Sequence, residues 1–453
     1  MIDQNELTRL ETRLDSFDPE TRKESLQSLL NLVKTGLIEV PEGREIANLH
    51  CHSFFSYNGY GYSPTHLAWI GKKHGIKFMG IVDFDILDGV DEFLDACQMA
   101  GIYGTAGIET RVFLPEFRQY EINSPGEPGI AYHMGTGFIS SSVPDLVQPA
   151  FEEMRQRAVQ RNQQIMNAVN QFLAPLHIDY DQDVLPLTPQ GYATERHMVH
   201  KIMEKSLNVF SDPVEFWVEK LDLSADEIRK TINDQNTFKN LLRKKLMKRG
   251  GVAYVQPEVD SFPTVDEFHE IILASDAIPC SAWLDGTSAG EQKIEVLLDL
   301  MMDKDVRVLN IVPDRNWNIT DEATKAIKVR ELYQIVDHAE SLDLPVIVGT
   351  EMNSYGQKLV DDFEAPELEP VRDCFIKGAY FLYGHTRMAQ LFGLGYQSKW
   401  AQQFPDRKAK NSFFETVGHV IPPELESIDI SDTIIEDLSA DDILAALETR
   451  IED

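Results

Sequence analysis

Residues 48–85 read NLHCHSFFSYNGYGYSPTHLAWIGKKHGIKFMGIVDFD, and this stretch decides the fold class. A short apolar segment ends in HCH (residues 50–52), a helix-forming segment follows, and a second apolar segment ends in VDFD (residues 82–85). A strand, a helix and a second strand in this order are typical of a parallel βα unit. Because alternate residues of a strand point to one side, His50 and His52 can face a common metal ion.

The same alternation of short apolar strands and helical segments runs through two parts of the chain. Between these parts lie long, polar, helix-forming segments that indicate an inserted helical subdomain. Strand candidates in the second part are AIPCSAW, VRVLNIV, LPVIVGTEMN and GAYFLYG. We therefore predict an N-terminal helical segment (1–45), the first part of an α/β barrel (46–143), a helical insertion (144–250), the second part of the barrel (251–390) and a C-terminal extension (391–453). In the extension, Ser439 is expected to cap a short acidic helix.

The charge of the chain limits its partners. It has 74 acidic and 42 basic residues, which gives a formal net charge of −32. Such a charge repels phosphate backbones and anionic membranes at long range, so duplex nucleic acid and membranes are disfavoured as partners. A bound metal ion or a local cation could still draw one small anionic substrate into a pocket.

The compartment and the assembly state are less constrained. No apolar run reaches the roughly 18 residues of a membrane span, and the first residues lack the pattern of a secretory signal. The cysteines at positions 51, 97, 280 and 374 are far apart without CxxC spacing, which excludes a zinc knuckle and favours a reducing cytoplasm. Helices at both termini could support a homo-oligomer, and a solvated acidic tail is an equal alternative.

Polar residues follow the predicted strands at the place where α/β barrels carry their chemistry, the carboxyl ends. Beyond the first two strands, these groups are GIE (107–109), YH (132–133) and GTEMN (349–353). Each one alone is compatible with a loop carboxylate or a helix cap. Together they predict a shared site at the rim of one closed sheet.

The stretch 48–85 resembles the opening of the polymerase and histidinol phosphatase (PHP) superfamily, which begins with an HxH strand, a Ser-rich loop, a helix and a strand ending Thr-Asp-His-Asp. GIETRVF, AYHMGTGF and VGTEMNS resemble later motifs of that family in order, so that the likeness covers most of residues 46–390. The resemblance implies a distorted TIM-like (β/α)7 barrel with a helical insertion. It also implies a metal-dependent hydrolase, most simply a phosphoesterase acting on a small phosphorylated molecule.

The resemblance also implies site residues. Carried over, His50, His52, Glu109 and Glu351 would form one metal site, and Glu109 with His133 would hold a second ion. Such a mixture of nitrogen and carboxylate ligands suits Zn, Mn or Fe. Asp83 would orient a ligating imidazole or accept a proton from the metal-bound water, with Glu109 beside it in the catalytic group.

Three positions depart from the family pattern. Phe84, Trp283 and Asn353 stand where the family has histidine. We therefore expect the family's third ion to be absent and the second to lack a ligand, unless Asp285, Cys280 or Ser281 replaces it. The expected occupancy is one or two divalent ions.

Three further residues are candidates for contact with an anionic substrate. Arg111 lies two residues beyond Glu109 on the same side of a strand, and Arg315 follows a predicted strand at the rim. His385 follows GAYFLYG, which is predicted to be the last strand. Each of the three has an ordinary alternative as a salt-bridge partner or a structural histidine.

Two other functions remain open from the sequence. The loss of imidazoles is compatible with a degenerate PHP protein that binds a metal or small ligand without catalysis. Some relatives also act on oligonucleotide ends, although the acidic composition argues against a nuclease.

Overall fold

A computed structural model describes residues 3–256, 261–428 and 437–452 of the chain. Its sheet has seven strands that lie side by side in the order of the sequence. The strands are β1 (Arg44–Cys51), β2 (Ile76–Phe84), β3 (Tyr103–Phe113), β4 (Ile130–Thr136), β5 (Ile278–Trp283), β6 (Val308–Ile311) and β7 (Val346–Val348).

The sheet curls into a nearly closed barrel. A parallel bridge joins Cys51 at the end of β1 to Glu351 beyond β7, where His52 N donates to Glu351 O over 2.7 Å. The backbone N–H of Glu351 in turn donates to His50 O over 2.7 Å. The predicted distorted α/β barrel is confirmed.

One strand departs from a simple βα repeat. The pairs β1/β2, β2/β3, β5/β6 and β6/β7 are parallel, whereas β4 runs antiparallel to both β3 and β5. The physical reason is the connection: no long helix lies between β3 and β4, so the chain turns back directly instead of crossing over. This reversal also shifts the phase in which β4 presents its side chains.

Sixteen α-helices surround or extend the sheet in the described residues. The helices around the barrel and at the termini are α1 (Gln4–Arg13), α2 (Pro19–Lys34), α3 (Pro64–His74), α4 (Val90–Ala100), α10 (Val265–Ala274), α11 (Ile294–Asp303), α12 (Asp314–Trp317), α13 (Glu322–Ser341), α14 (Arg372–Phe392), α15 (Arg407–Val420) and α16 (Ala440–Glu452). The helices between β4 and α10 are α5 (Gln148–Leu173), α6 (Glu195–Val209), α7 (Pro213–Leu221), α8 (Ala225–Ile232) and α9 (Gln235–Leu246). None of the helices in the described residues is both long and apolar enough to cross a membrane.

The buried side chains form two main clusters. The larger one fills the barrel and its surrounding helices, and it includes Phe151 and Met154 from the first half of α5. The second lies among α5 to α9 and includes Trp217 and Phe238. Helix α5 therefore links the two clusters and fixes the inserted helices beside the mouth of the barrel.

The predicted strand GAYFLYG (378–384) is wrong, because these residues lie inside α14. This helix is buried on nearly all sides between the sheet and α15, so its sequence shows an apolar run without a helical stripe. Gly378 approaches the carbonyl of Val346 and Gly384 that of Phe414 so closely that a Cβ at either position would clash. The glycines thus serve close helix packing rather than a turn.

The terminal segments pack against the barrel. Leu14 and Leu29 from the N-terminal helices, and Ile443 and Leu447 from α16, are fully buried in the larger cluster. Asp442 N donates to Ser439 Oγ over 3.2 Å, so the predicted cap of the last helix is confirmed. The described part of the C-terminal extension is therefore packed structure and not a solvated tail.

Candidate metal centre and adjoining cleft

Two histidines and one glutamate meet inside the mouth of the barrel. His50 and His52 extend from the end of β1 on one side, and Glu109 extends from β3 toward them. The Nε2 atoms of His50 and His52 lie 3.6 and 3.4 Å from Oε2 of Glu109, and all three side chains are at most 5% exposed. Among the described residues, this is the one group whose ligand atoms lie close enough together, within 4.8 Å, to hold a metal ion.

The hydrogen bonds around His52 fix which ring nitrogen carries the proton. Ser56 Oγ donates to Asp83 over 2.5 Å, and Nδ1 of His52 lies 3.2 Å from the same hydroxyl. Because the hydroxyl hydrogen is used by Asp83, Nδ1 must donate to Ser56, which leaves Nε2 of a neutral His52 with a free lone pair. That lone pair faces Glu109.

His50 is held in an equivalent way. Its Nδ1 lies 2.9 Å from Oδ1 of Asn310 on β6, so Nδ1 donates and Nε2 faces Glu109. Both Nε2 atoms are buried and have no hydrogen-bond partner among the described residues. Buried polar atoms are rarely left unpaired, so two of them pointing at one carboxylate fit the chemistry of a divalent-metal site.

The electrostatics at this point favour a carboxylate ligand. Burial by itself would raise the pKa of Glu109, but His50 and His52 lower it, and the net direction is downward. Glu109 is therefore ionised at neutral pH although it is fully buried. Burial lowers the pKa of His50, but Glu109 outweighs this effect and raises it, so this pocket favours a positive charge. A carboxylate with two imidazoles is the ligand set that borderline divalent ions prefer.

Glu351 borders the same cleft but lies outside the compact group. Its carboxylate accepts from Arg315 over 2.7 Å and from Nδ2 of Asn353 over 3.2 Å. Burial raises its pKa, yet Arg315 and the two histidines outweigh this effect and lower it to about 2. The prediction that Glu351 is a fourth ligand is not met in this structure, because Arg315 holds its carboxylate.

His133 is not part of the centre, and its prediction as a metal ligand is wrong. In the antiparallel ladder His133 pairs with Thr110, whereas Glu109 pairs with Met134. Alternate residues face opposite sides of a strand, so His133 points out of the barrel. There its Nε2 contacts Nε2 of His269 on α10 over 2.7 Å. The neighbouring Tyr132 faces the cleft instead.

Asp83 lies behind the centre rather than in the cleft. Its carboxylate accepts from Ser53 N over 2.7 Å, from Ser53 Oγ over 2.6 Å and from Ser56 Oγ. These bonds occupy the oxygens that would take a proton from water. The geometry supports the expected role of orienting an imidazole, which here acts on His52 through Ser56.

The two arginines predicted to contact substrate differ in their surroundings. Arg111 is buried and paired with Glu127 at 2.9 Å, and a second carboxylate, Glu195, lies 3.8 Å away. It lines a side cavity rather than the cleft beside the metal ligands. Arg315 does line that cleft, and its side chain is 40% exposed despite its ion pair with Glu351.

His385 is far from this role, and its prediction as a substrate contact is wrong. It lies inside α14, is fully buried, and donates from Nε2 to the carbonyl of Gly137 over 3.0 Å. Its Nδ1 accepts from the backbone N–H of Tyr396 over 2.9 Å. Both ring nitrogens are therefore used by backbone groups, which makes His385 a structural residue.

The three departures from the family pattern are explained by packing. Phe84 stacks on the ring of His52 with centroids 4.3 Å apart, and Asn353 accepts from Arg196 over 2.8 Å. Trp283 lines the cleft. The proposed replacement Asp285 is bound to Lys328 at 2.7 Å. The group of three ligands supports a site for one ion.

A cleft of about 420 Å³ opens beside the centre, a volume usual for small-molecule sites. Basic side chains from the inserted helices cover it. The basic residues that line the cleft are Arg196, Arg243, Lys244, Lys248, Arg249 and Arg315. Sequence reasoning missed all of these except Arg315; the signal was the basic run RKKLMKR (243–249) in an otherwise acidic chain.

The protein is therefore a nearly closed α/β barrel of seven strands with a candidate divalent-metal centre inside its mouth. No protein-family model and no curated protein matches the sequence. Among solved structures, an amidohydrolase from Chromobacterium violaceum, with bound sulfate and no metal, is 14% identical with a TM-score of 0.47 and covers 72% of this chain and 96% of its own. A "putative metal-dependent phosphoesterase" from Bifidobacterium adolescentis is 16% identical with a TM-score of 0.45 and covers 74% and 98%. At this level of similarity, neither structure bears on the activity of this chain.

Proposed function

We propose that the protein is a metal-dependent hydrolase that cleaves a phosphoester bond of a small molecule. The observation that carries the proposal is the pair of buried, unpartnered Nε2 atoms of His50 and His52 that face an ionised Glu109. A divalent ion bound there would supply a Lewis acid and lower the pKa of a nearby water. Neither an activated serine nor a cysteine is then needed as nucleophile.

The residues of the chain would bind the ion and orient its ligands. His50, His52 and Glu109 would hold one ion, and the character of these ligands suits Zn, Mn or Fe. Asn310 and Ser56 keep both imidazoles in the tautomer that presents Nε2, and Asp83 positions Ser56. These contacts fix the centre before the substrate arrives, so little reorganisation is needed during the reaction.

The cleft supports a small anionic substrate. Its basic lining faces the metal ligands in a molecule with a net charge of −32. Guanidinium and ammonium groups bind phosphoryl oxygens through charge-assisted hydrogen bonds. Arg315 is the best-placed of them to contact the group that reacts, because it is partly exposed and lies beside Glu351 at the centre.

The experiment is phosphate release with added Mn²⁺ or Zn²⁺ from a panel of small phosphomonoesters and from nitrophenyl phosphate. We expect metal-dependent turnover in the parent protein and a loss of more than 100-fold in His50→Ala and in Glu109→Gln. The matched control is His177→Ala, which removes an exposed histidine of the inserted helices. Turnover that survives both ligand substitutions would reject the proposal.

The same preparations separate the alternatives. Metal bound with one-to-one stoichiometry but no turnover on any ester would favour the degenerate, non-catalytic role. Shortening of a single-stranded oligonucleotide from one end, lost in Glu109→Gln, would favour the nuclease.

A further inference from the structure

A side cavity lies next to the metal cleft, between the barrel and the inserted helices. Five residues line both spaces: Phe84, Tyr132, Arg196, Arg243 and Lys248. Its basic side chains come from β3, from α5, from α6, and from α9 with the turn after it. The basic residues that line the side cavity are Arg111, Arg161, Arg196, Arg243 and Lys248. The cavity is therefore enclosed by cations from both parts of the molecule.

The acidic side chains of the cavity do not balance this charge. Among the described residues, only Asp85 and Glu195 are acidic residues that line it, and Glu127 pairs with Arg111 at 2.9 Å from outside the lining, which leaves an excess of two positive charges. Asp85 already accepts from the hydroxyls of Tyr192 and Thr110. Glu195 is shared by Arg243 at 3.0 Å, Lys248 at 2.8 Å and Arg111 at 3.8 Å.

Arg161 is a basic residue of the side cavity that does not take part in these ion pairs. Its Nε is buried and has no hydrogen-bond partner among the described residues, and the described carboxylates form no ion pair with it. One terminal nitrogen donates weakly to Ser261 O over 3.4 Å. The guanidinium also lies 4.5 Å from the ring centre of Phe262, which Arg111 contacts at 4.4 Å.

The pKa directions of two of the basic residues agree with a surplus of positive charge, whereas for Arg111 the effect of burial is outweighed by Tyr132, Glu127 and Glu195, which raise its pKa. Burial, together with the nearby Arg111, lowers the pKa of Arg161. Burial and the charge of Arg243 lower the pKa of Arg196 to about 10. A group of buried cations that depress one another is relieved when an anion enters between them.

We propose that the side cavity is a second anion site, separate from the metal ligands, that binds a phosphate-type oxyanion. A guanidinium offers donors in a planar fork that matches such an oxyanion, and Nε of Arg161 has no other partner in the part of the chain that the structure describes. Because the cations come from β3 and from three inserted helices, an anion bound there also fastens the inserted helices to the barrel. The site needs no metal, and although it shares Arg196, Arg243 and Lys248 with the metal cleft, Arg161 lines the side cavity and not the cleft, so a test at Arg161 is separate from the proposed hydrolysis.

The test uses the full chain in EDTA with inorganic phosphate as the probe, and with chloride at equal ionic strength as the salt control. We expect saturable binding by calorimetry and a rise in Tm. In Arg161→Gln, the phosphate affinity should fall at least 10-fold and the rise in Tm should vanish. Arg157→Gln is the matched control, because it removes the same charge one turn earlier on α5 without lining the cavity.

Two results would overturn the site: no phosphate-dependent rise in Tm in the parent, or an unchanged phosphate affinity in Arg161→Gln. If Arg161→Gln does not fold, Arg161→Lys takes its place, because lysine keeps the positive charge but lacks the planar guanidinium. A phosphate affinity of Arg161→Lys equal to that of the parent would also overturn the site. Phenylphosphonate identifies the source of the anion. If phenylphosphonate binds in a manner that depends on Arg161, the natural ligand is the phosphoryl group of a larger molecule. If phenylphosphonate does not bind although phosphate does, the natural ligand is free phosphate. Both results support the site.

Discussion

At the residue scale, the candidate centre depends on residues that orient the candidate ligands through hydrogen bonds. His52 presents Nε2 only because its Nδ1 donates to Ser56, whose own hydrogen is taken by Asp83. Partners of this kind are worth about 10–100-fold in metal affinity in other proteins. The role of Asp83 can therefore be tested without reference to the substrate.

We predict that Asp83→Asn weakens Mn²⁺ or Zn²⁺ binding by about 10–100-fold. The amide can donate to Ser56, which frees the hydroxyl hydrogen to bond to Nδ1 and so favours the wrong tautomer of His52. Competition titration against a fluorescent chelator measures the affinity, and the Tm in EDTA reports folding. Asp145→Asn, at an exposed aspartate, is the control. An unchanged metal affinity would contradict the positioning role.

A second prediction concerns a buried carboxyl away from the centre, Asp361. Burial raises its pKa to about 7, although Trp317 Nε1 donates to it over 3.0 Å. The native state then keeps a proton that the unfolded chain loses near pH 4, so this group reduces stability as the pH rises from about 4 to about 7. Asp361→Asn should gain Tm relative to the parent between pH 5 and pH 8. Asp145→Asn is the control, and its Tm should change with pH in parallel with that of the parent. If the Tm of Asp361→Asn also changed in parallel with that of the parent, the prediction would be refuted.

At the element scale, helix α14 shows how packing replaces a local pattern. It crosses behind β7 and under α15, and its glycines allow backbone contact on both sides. Residues 378–384 are largely apolar and aromatic, which favoured a strand. A helix that is buried on all sides has no polar face, so its sequence lacks the amphipathic pattern by which a helix is predicted. The contacts of α14 with β7 and α15 therefore stabilise the helical conformation of this segment.

We predict that Gly378→Ala destabilises the protein by about 1–3 kcal/mol, because the new methyl would overlap the carbonyl of Val346 in β7. Urea denaturation measures the change in the free energy of unfolding. Gly43→Ala is the control: nothing lies within 4 Å of a Cβ there, and its effect should stay within about 0.5 kcal/mol. Equal effects of the two substitutions would show that α14 does not pack as described.

At the scale of the whole molecule, the candidate metal ligands come from two strands that the curled sheet brings close together. His50 and His52 lie beside the bridge between β1 and the segment after β7, and Glu109 lies two strands away on β3. The three ligands are near one another only in the folded barrel. An ion that binds them should therefore stabilise the native state alone.

We predict that Mn²⁺ or Zn²⁺ raises the stability by about 2.7 kcal/mol at a hundredfold excess over Kd, and that EDTA reverses the gain. Thermal denaturation at several metal concentrations measures it. The gain should disappear in His50→Ala and persist in His177→Ala. A metal-dependent rise in Tm that persists in His50→Ala would place the ion elsewhere.

The barrel and the helical insertion could be predicted from the sequence, and so could the three residues that meet at the candidate centre, because strand alternation and the HxH spacing are local properties. The rest follows from the tertiary structure. The register of β4 against β3 places His133 outside the barrel, and the ion pair with Arg315 holds Glu351 away from the group of three ligands. The inserted helices brought the basic run 243–249 over the cleft. These outcomes depend on contacts between segments far apart in the chain, which no local pattern of residues encodes.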